Sequence, residues 1–163
     1  VKLTLSLQRR PILVAALSAI ALGAIGGTIT TIGPWYHSLA TPAWKPPDWS
    51  FGVIWTAIFA CAAASGVFGW RDARTQEARE WMIGLFALNG FLNIFWSLLF
   101  FRLQRPDWAV IEVGALWLSV ALLLMFNARL SRLSGLLIAP YLIWVSIAGV
   151  LNYDIVRLNP PFH

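Results

Sequence analysis

The chain has 163 residues, 59% of them hydrophobic and only 12% charged, so it is sized for one domain and is far more apolar than a soluble one. Its formal net charge of +5 comes from scattered Lys and Arg with no basic aromatic surface, which excludes a recognisable nucleic-acid groove and fits the cationic bias of membrane proteins. A single cysteine, Cys61, rules out an intrachain disulfide framework.

Long runs with few or no charges, each of about 20 residues, have the length needed to cross a bilayer. The expectation is an all-α integral membrane protein. Residues 1–163 form a single transmembrane domain, a five-transmembrane-helix bundle with spans near 11–32, 51–70, 81–101, 108–128 and 134–157. Lys2, Arg9 and Arg10 precede the first run, which is too long for a signal-peptide core and reads as the first span. Pro11 suits a first helical turn. Gly23 and Gly27 form a GxxxG spacing, which lets helix backbones approach closely inside a bundle or between two copies.

Between the first two spans lies a Trp/Pro-rich lid, 33–50. Prolines 34, 42, 46 and 47 prevent a continuous helix, yet the lid carries Trp35, Tyr36, Trp44 and Trp49 and is too aromatic for an ordinary solvated loop. It reads as a semi-rigid cap docked at one end of the bundle. In the second span Trp55 and Phe59 share a face, and Ala60, Ala64 and Ser65 make a small-residue strip. Residues 71–80 read as a charged, solvated connection. In the third span Asn89, Asn93, Trp96 and Phe100 fall on one stripe. An unpaired side-chain amide in hydrocarbon is costly, so both asparagines are expected to face the interior.

Glu112 falls in the first turn of the fourth span. An acid in a membrane span is a functional signal by default, but so near a helix end the helix dipole and interfacial water favour a structural role. In the fifth span Pro140 is expected to kink the helix, and Tyr141, Trp144, Ala148 and Asn152 form another stripe. Asp154 and Arg157 are spaced to pair. The tail from Asn159 is expected to fray. Basic residues favour the amino end, 71–80 and 129–132 over the lid, the loop after the third span and the carboxyl end, which puts the amino terminus in the cytoplasm and the lid on the opposite side.

The chemistry these residues allow is narrow. The two histidines, His37 and His163, offer no bis-His haem site, and no Cys/His spacing suits zinc, so no metal site is expected. Trp70, Trp81 and Trp108 at helix ends read as interfacial belt residues. The three stripes, in contrast, can converge beneath the lid as an apolar chamber with a few donors. Such a chamber suits a flat, conjugated, hydrophobic ligand held by stacking. Leu151, Tyr153 and Arg157 match a sterol-type pattern, which occurs often by chance.

WYxxLxxPxWxPPxW from Trp35 to Trp49, FxxxW from Phe51 to Trp55, NxxW then FF at Asn93, Trp96, Phe100 and Phe101, and PYxxWxxxAxxxNY from Pro140 to Tyr153 stand in order along the chain. Together they resemble the TspO/MBR family of tryptophan-rich sensory and translocator proteins, which includes the peripheral benzodiazepine receptor. The resemblance covers nearly the whole chain. It implies a five-helix membrane protein, commonly a homodimer, that needs no cofactor and binds protoporphyrin IX or a related tetrapyrrole. The expected role is sensor or regulator of tetrapyrrole handling. Light-dependent porphyrin degradation, with Trp55 and Trp144 as catalytic candidates, and transport of porphyrin or lipid are the alternatives. Carried over by motif, the ligand-binding residues are Tyr36, Trp44, Trp55, Asn93, Trp144 and Ala148, joined on the third-span stripe by Asn89 and Trp96. Asn89 stands where many relatives carry Gln, and Ala43 where some carry a second Trp. The expected partners are the bilayer, a porphyrin or other flat hydrophobic small molecule and a second copy of the chain, with no nucleic acid. The expected location is a bacterial cell membrane.

Overall fold

A computed structural model of the chain describes residues 2–162, with side chains from Arg10 onward. Six α-helices follow in order: α1 (Lys2–Ile29), α2 (Pro34–Ser38), α3 (Asp48–Asp72), α4 (Gln76–Ser97), α5 (Pro106–Leu130) and α6 (Arg132–Leu158). A π-helical segment, Leu98–Arg102, continues α4. All but the short α2 contribute a stretch long and apolar enough to cross a membrane, five in total. The chain is thus an all-α, multi-pass membrane protein. His163 and the side chains of Lys2 and Arg9 lie outside the described residues.

The spans run longer than hydropathy alone predicts, because capping chemistry, not apolarity, ends them. Pro106 opens α5 at a position where a missing N–H costs nothing, and Thr75 caps α4 by accepting from the Ala78 amide at 3.1 Å. The expected charged connection 71–80 therefore shrinks to Ala73–Thr75, the flanking charges riding on helix ends. Pro11 does not open α1 but lies within it, and Pro140 lies within an α6 that continues for 27 residues.

Around the bundle α1 packs on α3, α3 on α6, α6 on α5 and α5 on α4, and α1 touches α4 to close the ring. Lipid gives helices no hydrophobic reason to associate, so close approach and interhelical hydrogen bonds must hold them. Gly135 lets α6 press onto α5: a Cβ there would stand 2.5 Å from the Ala128 Cβ. Gly69 does the same where α3, α4, α5 and α6 meet, with Asn127 Oδ1 at 2.7 Å and Met82 Sδ at 2.9 Å from a Cβ placed on it. At that end the Ser65 hydroxyl donates to the Ser134 carbonyl at 2.8 Å, and the Ser134 hydroxyl lies 2.8 Å from the Ser65 carbonyl. Ser65 thus holds α3 to α6 through a hydrogen bond as well as through its small size.

The other end carries the lid. Its short α2 sits on a buried apolar cluster made with Leu99, Phe100, Ala109, Leu151 and Ile155. A larger cluster below it includes Ile58, Leu116, Val120, Tyr141, Trp144 and Val145. Phe51 and Trp96 pack against both. The π segment matters here. Its Leu103 amide bonds back to the Leu98 carbonyl at 2.8 Å, and the wider turn brings Leu99 and Phe100 inward and sets Phe101 beside Tyr36 and Trp96. Gln104, at φ 54°, then reverses the chain into α5.

Candidate functional site

The stripes predicted on the three spans meet in the interior. From α3, Trp55 stands edge-on to Tyr141 (ring centroids 5.8 Å, 81°) and to Trp144 (6.5 Å, 89°), and it lies 5.3 Å from Phe59. Phe51 meets Trp144 at 5.6 Å and 71°. Edge-to-face packing of this kind sets one ring's edge against its neighbour's face, and it holds Tyr141 and Trp144 buried in the interior. A second aromatic group lies nearer the lid. Trp96 stacks on Phe100 at 5.2 Å, and Trp35 meets Phe100 edge-on at 6.1 Å.

Both asparagines of α4 are buried and paired, for the reason the sequence gives: an amide at this depth needs a partner. Asn89 Nδ2 donates to Ser119 Oγ at 3.0 Å and Asn93 Nδ2 to Tyr141 Oη at 3.1 Å. The Trp96 indole donates to Asn152 Oδ1 at 3.1 Å, and Asn152 Nδ2 donates to the Pro106 carbonyl at 2.9 Å. Asn152 thereby ties α4, α5 and α6 together under the lid, and Asn93 fixes the Tyr141 ring that Trp55 packs against. Ala148, half-buried on α6, stands one helical turn from both Trp144 and Asn152, on the stripe they share.

Two tethers hold the lid. Tyr36 Oη donates to Asp48 Oδ1 at 3.0 Å, and Lys45 pairs with the same carboxylate while its ammonium lies 5.8 Å over the Phe51 ring. Burial pushes the Tyr36 phenol above its usual value, and its bond to Asp48 adds to the rise. Burial would lower the Lys45 ammonium, but its bond to Asp48 and the neighbouring Tyr36 oxygen outweigh that and raise it. The second tether comes from the chain's end. Asn159 accepts from the Ala40 amide and donates to the Ala40 carbonyl, both at 2.8 Å. The tail is therefore docked at Asn159 where fraying was expected. Trp44 Nε1 donates to Asp154 Oδ2 at 3.2 Å, and the Trp44 ring stays 46% exposed on the outer rim.

Other candidates separate. Leu151 is buried whereas Tyr153 is 53% exposed with Arg157 beside its ring, so the sterol-type residues do not share one surface. Asp154 and Arg157 approach only to 3.9 Å, and Asp154 has Trp44 as its closer partner. Glu112 departs most from expectation. It lies seven residues into α5, 7% exposed, and neither carboxyl oxygen has a hydrogen-bond partner. Sequence reasoning also missed Lys45, Asp48 and Asn159. Their signals were faint: an acid at a helix start after two prolines, and an asparagine just past a helix end.

A model of the TspO/MBR family matches residues 14–158. "Tryptophan-rich protein TspO" of Chlorobaculum tepidum is 37% identical over 148 residues, covering 86% of this chain and 90% of the relative. "Protein CrtK" of Rhodobacter capsulatus is 34% identical over 142 residues, covering 87% and 89%. "Translocator protein" of Sus scrofa is 29% identical over 126 residues, covering 77% and 75%.

Proposed function

The chain belongs to the TspO/MBR family, and from that premise we propose that it binds a porphyrin within the membrane and acts as a sensor or regulator of tetrapyrrole handling. One observation carries the reading: Trp55, Phe51, Tyr141 and Trp144 gather edge-on on the inward faces of α3 and α6, beneath a lid held by few polar contacts. A macrocycle enters when the lid lifts and stacks on the indole faces, with Ala148 giving it room. Freeing the lid breaks the Tyr36–Asp48–Lys45, Asn159–Ala40 and Trp44–Asp154 contacts and lifts the buried Tyr36 off its apolar cluster; water replaces the exposed Ala40 and Trp44 bonds at the rim. Trp44, on the rim, closes over the guest.

The protein resides in a bacterial cell membrane and pairs with a second copy through α1. Gly26 and Gly27 present an uncovered strip, since a Cβ on either meets nothing within 4 Å, whereas Gly23 packs toward Phe59 at 3.8 Å.

The test is a titration of the detergent-solubilised protein with protoporphyrin IX, read by tryptophan quenching. Saturable quenching, weakened about twofold to tenfold in Trp55→Phe and Trp144→Phe, is the expected result; the loss of one aromatic stacking contact is of that order. Unchanged quenching and affinity in both variants would overturn the assignment of the pocket. Conversion of the porphyrin band to a new species on illumination would instead assign degradation.

A further inference from the structure

Among the described residues, the buried side-chain polar atoms without a partner are both oxygens of Glu112, the indole nitrogen of Trp144 and Nε of Arg79. Arg79 belongs to the far end, where its guanidinium lies over Trp70. The other two belong to the interior just described. We infer that Glu112 is the polar anchor of that interior, its carboxyl taking the N–H or cationic group of a flat, apolar guest; this rests on the guest-binding reading above.

Position comes first. Glu112 lies on the buried stripe of α5 between Ala109, part of the cluster under the lid, and Leu116, part of the larger cluster with Tyr141 and Trp144. It sits where the two clusters meet. The facing helix fixes its level. Val113 packs on Gly149, and Asn152 bonds to the Pro106 carbonyl, so Glu112 stands opposite the stretch of α6 around Ala148.

The partner count comes second. The two asparagines that the sequence offers as guest contacts are engaged within the protein, Asn89 with Ser119 and Asn93 with Tyr141, and Asn152 is taken by Trp96 and Pro106. No cation at this end meets Glu112. Lys45 is paired with Asp48, Arg105 with Asp107, Arg157 lies by Asp154, and Arg102 is exposed. A carboxyl group buried in a membrane bundle with no donor toward either oxygen is among the costliest arrangements a fold can hold. It pays for itself when a ligand supplies the missing donor. An acid beside stacked aromatic rings selects a guest that carries an N–H or a positive charge at its edge, and the free Trp144 N–H adds a donor for an acceptor on the same guest.

The test uses two probes of one outline on the full chain in neutral detergent micelles. 9-Aminoacridine is a flat cation with N–H donors, and 9-methylanthracene has the same three rings and no nitrogen. Each is titrated against tryptophan fluorescence and competed with protoporphyrin IX. The wild type is expected to favour 9-aminoacridine by about tenfold to a hundredfold, the worth of one charge-assisted hydrogen bond. Glu112→Gln should remove that preference and leave 9-methylanthracene affinity unchanged, and Glu112→Asp should keep part of it. Equal affinity of the wild type for both probes overturns the role of Glu112 alone, and that measurement needs no variant to fold. So does an equal loss of both probes in a Glu112→Gln protein whose circular dichroism is native. If neither probe is bound or competes with protoporphyrin IX, the enclosing pocket itself is refuted, and the anchor with it.

Discussion

Asn152 is the residue whose removal should be felt most at the lid end. It is almost fully buried, accepts from the Trp96 indole at 3.1 Å and donates to the Pro106 carbonyl at 2.9 Å. Asn152→Ala strands the indole N–H in a part-buried site, which costs about 1–3 kcal/mol, and leaves a small cavity worth about 1 kcal/mol more. The Pro106 carbonyl loses less, because a carbonyl has a second lone pair for the helix ladder. We expect a loss of about 2–4 kcal/mol in all. Trp96→Phe removes the donor while keeping most of the ring, so the double variant closes a cycle. Unfolding equilibria of the four proteins in mixed micelles should give a coupling energy of about 1 kcal/mol or more. Additivity within about 0.5 kcal/mol would refute the bridging role of Asn152.

Gly135→Ala should destabilise by about 1–3 kcal/mol or prevent folding, because the new Cβ would meet the Ala128 backbone, which cannot yield without parting α5 from α6. Gly114→Ala, where a Cβ meets nothing within 4 Å, should be neutral or slightly stabilising in the same thermal melts. The lid should loosen in alkali. The Tyr36 phenol and the Lys45 ammonium are both raised from their usual 10.0 and 10.5. Their contribution is therefore complete below about pH 10 and fades as pH climbs through the raised folded values. Quenching of tryptophan by acrylamide should rise in that range, and it should be high at neutral pH already in Lys45→Met; an alkaline rise of the same size in Lys45→Met and wild type would contradict the latch. Asn159→Ala should speed porphyrin association in stopped flow several-fold by freeing Ala40, and an unchanged rate would show that this contact does not gate entry.

Much of this architecture is legible in the amino-acid order. The spans announce themselves because hydrocarbon tolerates so few charges, and the inward faces of Asn89 and Asn93 follow because amides there need partners. What the partners are is another matter. Asn93 to Tyr141 joins residues 48 apart and Asn159 to Ala40 joins residues 119 apart, and helical period says nothing about which stripes meet. The π segment after Ser97 also breaks the period on which stripe reasoning depends, bringing Leu99 and Phe100 inward together. Glu112 was placed by counting from the predicted helix end. The observed α5 starts earlier, at Pro106, and its inward stripe of Ala109, Glu112 and Leu116 carries the acid into the interior.

The most direct measurement is of where a bound porphyrin lies. Protoporphyrin IX illuminated in air oxidises the tryptophans nearest to it, and mass spectrometry of the digested protein reads their order. A porphyrin held inside the bundle should oxidise Trp55 and Trp144 first, although Trp49 and Trp81, at 75% and 61% exposed, are far more open to attack from outside. Oxidation that begins at Trp49 and Trp81, with Trp55 and Trp144 spared, would mean that the porphyrin does not occupy the interior.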